Sequence, residues 1–208
     1  MPRYWWNLPL VVLAWLPIAL ADAPATGPSG GGILGPTDVF RVFLQDIQRG
    51  NSADLARLCS ARGEDAKGVV RDFQAVASAM EYLRTAVSLK FGPDAWASVL
   101  PSLPTPADLD DVTQTITGDQ AQLTGANIST MRMIRVQGSW KLDVDALLQS
   151  DDAPANIHWL SAMAQAMRRT ADDIATGRLT TAAAAAEAMA AREQAIPDAP
   201  TTQPATRP

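Results

Sequence analysis

The sequence predicts an α+β fold, with N-terminal helices packed on a curved antiparallel sheet of about four strands and a C-terminal αα-hairpin after it. Three observations carry that expectation. Apolar residues recur at spacings of three and four between residues 65 and 90. The period drops to two between residues 109 and 145, and returns to three and four from Ile157 to Ile174.

The chain opens with "MPRYWWNLPLVVLAWLPIALADA". Arg3 supplies a basic start, an apolar run follows from Tyr4 to Leu20, and Ala19-Leu20-Ala21 ends it. This is the layout of a secretory signal peptide over residues 1–21. Asn7, Pro9 and Pro17 interrupt the run, which falls short of the roughly 20 apolar residues of a membrane span. The expectation is export to a periplasmic or extracellular location, a mature start at Asp22, and no membrane association after cleavage. An uncleaved anchor is the alternative. Residues 22–35 form a flexible linker. Gly30, Gly32 and Gly35 have the spacing of a dinucleotide fingerprint, but no strand precedes them, so no nucleotide and no other cofactor is expected.

The domain proper spans residues 36–150. Thr37 is expected to cap a helix through about Arg49, with Phe40, Phe43, Leu44 and Ile47 inward. Ser52 is expected to cap a short helix carrying Leu55, Leu58 and Cys59. The long helix from about 65 to 90 puts Val69, Phe73, Val76, Met80, Leu83 and Val87 on one face. Gly92 and Pro93 stop it, and "DAWASVL" adds one or two turns. In the strands, Val112, Gln114 and Ile116 alternate with Thr113, Thr115 and Thr117, Gly118-Asp119 turns the chain, and Ala121 and Leu123 return on the inner face.

The last hairpin, "IRVQGSWKLDVDAL", fixes its own register. With Gln137-Gly138 as a tight turn, Arg135 lies opposite Trp140, Met133 opposite Leu142, and Met131 opposite Val144, all on one face. The other face then pairs Arg132 with Asp143 and Ile134 with Lys141. A slip of one residue destroys both patterns. The apolar face needs a cover, and the long helix with Phe73 and Met80 is the expected one. Residues 153–195 form the C-terminal hairpin, with Ile157, Leu160, Ala164, Met167, Ala171 and Ile174 as its seam and an alanine-rich second helix from about Thr181 to Gln194. This seam is expected to dock on the same chain, over the open side of the sheet, with a second chain as the alternative. The residues from 196 to 208 have the composition of a disordered tail.

This order of elements, with "RGNSADLARL" between the first helices and Gly138 and Trp140-Lys141-Leu142 in the closing hairpin, resembles the nuclear transport factor 2-like superfamily over about residues 36–150. That superfamily comprises ketosteroid-isomerase-like enzymes and many exported domains with no known reaction. The resemblance implies a cone-shaped fold with helices packed into a curved sheet. For an enzyme of that type it also implies an Asp base and a Tyr or protonated-acid partner inside the cone.

The residues offer little for such chemistry. Catalytic candidates reduce to Tyr82, the only tyrosine after residue 21, and Arg135 at the rim. The expected pocket-lining residues are Phe73, Met80, Met131, Met133, Trp140 and Leu142. No acid falls on the inner sheet face. His158 is the sole histidine, so a zinc site of the usual kind is excluded. The pairs Asp110-Asp111, Asp151-Asp152 and Asp172-Asp173 read as solvated faces or helix starts. Asp143 and Asp145 share an expected strand face, but no calcium loop surrounds them, and no metal is expected.

Charge and cysteine content narrow the classes further. The chain has 17 Lys+Arg and 22 Asp+Glu, a formal charge of −5. Residues 1–21 hold only Arg3, so the remainder has 16 against 22, or −6. Such a surface with no basic cluster repels phosphate backbones, which excludes nucleic acid as a partner. One cysteine forms no internal disulfide. The functional expectation is an exported, non-enzymatic domain that binds a partner protein or a small apolar ligand, or acts structurally. A homodimer is allowed. The alternative is a small pocket enzyme, an isomerase, dehydratase or hydrolase.

Overall fold

The computed structural model describes residues 34–101, 103–125, 128, 130–150 and 153–196. The expected signal segment, residues 22–33 of the linker, Asp151-Asp152 and the tail from 197 onward lie outside the described residues.

Helix α1 runs Pro36–Arg49 and begins earlier than Thr37 would set it. Pro36 occupies the first helical position, where a missing N–H costs nothing, and Gly35 is the cap. The Gly35 N–H donates to Asp38 at 3.3 Å. Thr37 is therefore inside the helix, and its hydroxyl donates instead to Gln114 Oε1 at 2.8 Å. At the other end Gly50 adopts a left-handed φ of 75°, and a Cβ there would sit 2.4 Å from Glu81 Cβ. Glycine is required twice over, by the turn and by the close approach of α1 to the long helix.

Helix α2, Ser52–Leu58, follows after Asn51, whose amide donates to Asp46 at 3.1 Å and Asp54 at 2.7 Å. Cys59 does not continue it. Cys59–Ser60 forms strand β1. The spacing of Leu55, Leu58 and Cys59 suits a helix, and two residues are too few to announce alternation. Helix α3 spans Glu64–Phe91 and buries the six expected residues, but also Ala66, Val70, Ala77 and Ala79. The second set exists because α3 is covered on two sides, by α1 and α2 and by a C-terminal helix. The "DAWASVL" segment holds one α turn, α4, Trp96–Val99.

Strands β2 (Thr113–Thr117), β3 (Gln120–Thr124), β4 (Met131–Val136) and β5 (Ser139–Asp143) are antiparallel neighbours. β1 joins them in parallel alongside β5, pairing Cys59 with Leu142. The sheet is thus five-stranded and mixed, in the order β1-β5-β4-β3-β2, where an antiparallel sheet of about four was expected. The closing hairpin has the expected register: Met133 faces Leu142, Ile134 faces Lys141, and Arg135 faces Trp140. Gln137 and Gly138 have φ of 51° and 82°, the mirror-image turn that matches strand twist. The register stops short of Val144, which opens the single helical turn α5, Val144–Leu147. Val144 is fully buried all the same.

The helices closest to the strands are α1, on β5 and β3, and α2, on β5 and β1, whereas α3, the expected cover, packs chiefly on α1, α2 and a C-terminal helix. The aromatic link between layers is Phe43 of α1, edge-on to Phe73 of α3 with centroids 5.1 Å apart. The C-terminal hairpin comprises α6, Ala153–Ala175, and α7, Ala182–Gln194. α6 lies along α3, and α7 packs on α6 and α4. The hairpin docks on its own chain, but on the helical layer rather than across the sheet. Alanines set this arrangement. Ala77 and Ala79 of α3 and Ala164, Ala166 and Ala171 of α6 are all buried, and small side chains let helix backbones approach closely. A polar clasp closes α7 on α6. Buried Thr170 donates to the Ala166 carbonyl at 2.9 Å and accepts from Arg192 at 2.6 Å, and Arg192 also pairs with Asp173.

Candidate functional site

The interior between helices and sheet was the expected pocket. All six residues named for it are buried: Phe73, Met80, Met131, Met133, Trp140 and Leu142. They belong to one continuous apolar core with Phe40, Phe43 and Leu44 of α1 and Leu55 of α2. α1 supplies the side chains that pack this space, because its amphipathic face is laid directly on β5 and β3.

The two catalytic candidates are engaged elsewhere. Tyr82 is 44% exposed on the seam between α3 and α6, and its hydroxyl donates to Asp172 Oδ1 at 2.8 Å. That hydrogen bond to a carboxylate raises the phenol above its ordinary pKa. Arg135 lies over the Trp140 ring, 4.4 Å from its centroid, with Asp119 at 3.7 Å. Each guanidinium or phenol is thus held by its own neighbours, and no hydrogen bond joins the two.

Cys59 is buried on β1, and desolvation pushes its thiol up to about 12. A thiol so far from ionisation is a poor nucleophile. His158 is exposed on the first turns of α6. Among the described residues no group of three or more His, Cys, Asp or Glu is placed to hold a metal ion.

Of the paired acids, Asp110, Asp143, Asp145, Asp172 and Asp173 have structural partners. Asp143 and Asp145 do not share a strand face, because the strand ends at Asp143. Asp143 caps α5 by accepting from the Ala146 N–H at 3.2 Å. Asp145 reaches back across the chain: it accepts from the Arg62 N–H at 2.9 Å, the Gly63 N–H at 3.1 Å and the Arg62 guanidinium at 3.3 Å. It therefore ties the start of α3 to the end of the sheet beside β1. The Arg62 and Gly63 amides favour the ionised form and lower its pKa. A depressed carboxylate stabilises the fold above its unfolded pKa and loses that contribution as pH falls through its folded value. Asp145→Asn is expected to cost about 1–2 kcal/mol at neutral pH, since one acceptor facing the Arg62 and Gly63 N–H groups becomes a donor. In urea melts at a series of pH values the difference from wild type should shrink below the ordinary carboxylate range. A constant difference down to strong acid would show that the charge is not involved.

Two open features lie outside the core. One is a shallow groove of about 350 Å³ between α4 and α7, floored by Val99, Leu100, Met189 and Ala190 and edged by Glu187 and Glu193. The other is the β2 edge of the sheet. Gln114 and Ile116 stand on the inner face, opposite Leu123 and Ala121, but all five residues of β2 are exposed and Ile116 is 47% accessible. The expectation that they point into the interior fails because β2 extends past the helical cover. The start of α1 reaches it, through Thr37 and Gln114. Neither feature was singled out from the sequence. The signal for β2 was present in its composition, since TQTIT offers one large apolar side chain in five. The groove joins segments nearly a hundred residues apart and had no local signature.

Comparison with protein-family models, with curated proteins and with solved structures returns no match. No helix among the described residues is long and apolar enough to cross a membrane.

Proposed function

We propose that the chain is an exported, non-enzymatic domain that works by docking a protein partner on its surface. The observation that carries this reading is the fate of the interior positions. Phe73, Met80, Met131, Met133, Trp140 and Leu142 are packed together in the core, while a shallow groove and a bare strand lie open on the surface of the described residues. A pocket enzyme concentrates convergent polar groups in a concave apolar site. Here Tyr82 and Arg135 serve packing and inter-helix contacts. Export rests on the Ala19-Leu20-Ala21 signal, and affinity to the nuclear transport factor 2-like superfamily rests on the helices-then-sheet order and the Trp140 hairpin.

Native mass spectrometry of the protein from its own host tests the reading. The expected spectrum contains a chain that starts at Asp22, bound to a second polypeptide and free of any retained small molecule. A stoichiometric small ligand would return the function to the interior, and a chain beginning at Met1 would overturn the cleavage.

A further inference from the structure

The β2 edge has the features of a strand-addition site, and we infer that it receives an extended segment of a partner protein, a short uncharged run with a basic residue at the end that meets Asp110-Asp111. The inference rests on the docking reading above and specifies its surface.

The geometry comes from the hairpin. Thr117 and Gln120 flank the turn Gly118-Asp119 and are opposite one another in the ladder. Residues flanking a two-residue turn exchange both of their hydrogen bonds, and the alternation continues along the pair. Thr113, Thr115 and Thr117 therefore spend their backbone groups on β3. Gln114 and Ile116 direct theirs away from it, and among the described residues no strand lies on that side. Exposed edges are usually blunted by a lysine, a proline or a bulge. β2 has none: it is Thr-Gln-Thr-Ile-Thr, uncharged and rich in β-branched side chains. Its inner face offers Ile116 as the one apolar contact for an added strand.

Charge selects the occupant. Asp110 and Asp111 precede the strand and Asp119 follows it. Arg41 reaches Asp110 at 3.2 Å and Arg135 reaches Asp119 at 3.7 Å, with both carboxylates largely in solvent, and among the described residues Asp111 has no ion pair. Arg135 offsets Asp119, so the net negative charge sits at the Asp110-Asp111 end, with an uncharged strand beyond it. A second copy added antiparallel about Thr115, the register of full overlap, would set Asp111 of each chain against Asp119 of the other, which disfavours that register of self-pairing. The chain's own linker, rich in Gly and Pro, is a poor strand. A segment with a β-branched centre and Lys or Arg at the end beside Asp110-Asp111 meets both the free backbone groups and the charge.

The test uses two labelled synthetic peptides, RTVTVTK and its acidic counterpart ETVTVTE, titrated into the full mature chain by fluorescence anisotropy. The basic peptide is expected to bind at least ~10-fold tighter and to weaken with salt, as exposed charge pairs do. Ile116→Pro removes an outward N–H and leaves the β3 ladder intact, so it should keep the melting temperature and lose binding about 10-fold or more. Ile116→Lys, which keeps the backbone donor, should weaken the basic peptide by charge alone. Equal binding of both peptides, or binding untouched by Ile116→Pro, would overturn the proposal. So would concentration-dependent dimerisation abolished by Ile116→Pro, which would make a second copy the occupant. If a host polypeptide stays bound to the Ile116→Pro chain in native mass spectra, the edge is wrong while docking elsewhere stands.

Discussion

A chain truncated after Ser150 is expected to aggregate, or to bind a hydrophobic dye such as anilinonaphthalene sulfonate, where the longer chain does neither. The cause lies in α3. Its buried residues fall on two sides, and α6 covers one of them along most of its length. Removing residues after 150 takes away Leu160, Met163, Met167 and Ile174, each less than a tenth exposed. At about 1.5–3 kcal/mol for each large side chain, their burial contributes roughly 6–12 kcal/mol before any entropy of ordering is subtracted. That is comparable with the whole stability of an ordinary domain, about 5–15 kcal/mol. The truncation also bares the α3 alanines that α6 covers and strips α7 from α4. A truncated chain that stayed monomeric, dye-free and equally stable in urea would mean that α6 is an independent module, and would move the search for function onto residues 153–195.

The second large effect is on the sheet. Trp140→Ala is expected to cost about 3–5 kcal/mol, the range for deleting a large buried aromatic. Trp140 is 4% exposed, packed in the core, and also the platform on which Arg135 lies. Arg132, on the opposite face of the same hairpin, is exposed, and Arg132→Ala should cost under about 1 kcal/mol. The pair of denaturant melts reports which face is inside. Equal losses would mean that the core is not organised around Trp140.

These two results also separate what the sequence states locally from what only the assembled fold decides. The Trp140 hairpin was legible because two independent signals agree there. A turn pair at Gln137-Gly138 and an alternation on both flanks admit a single register. The seam of α6 was legible for the same reason, six positions in a strict three-four repeat. β1 was not legible, since Cys59 and Ser60 become a strand only because β5 offers them a parallel edge. The layer order was not legible either. α1 and α3 are both amphipathic, and periodicity says which face is buried but not against what. The alanines of α3, hidden among the larger residues, were the available sign that a second helix would press on its other side. At the candidate site, Arg135 over Trp140 followed from the register. Tyr82 bonding Asp172 required knowing that α6 lies along α3. The bare β2 edge required knowing where the helices stop.

Apolar side chains pack the space between α1 and the sheet, and the docking function proposed above lies on the outside of the domain. All six methionines after residue 1 are buried, and they sample both halves of the core: Met80, Met131 and Met133 near the sheet, and Met163, Met167 and Met189 in the C-terminal hairpin. Xenon enters empty apolar cavities and leaves close-packed interiors alone. The direct measurement is the methionine methyl spectrum of methyl-labelled protein under rising xenon pressure. The account predicts that the Met80, Met131 and Met133 methyls do not shift beyond the change that pressure alone produces. Saturable shifts confined to those three would reveal a cavity lined by Trp140 and Phe73, and would contradict it.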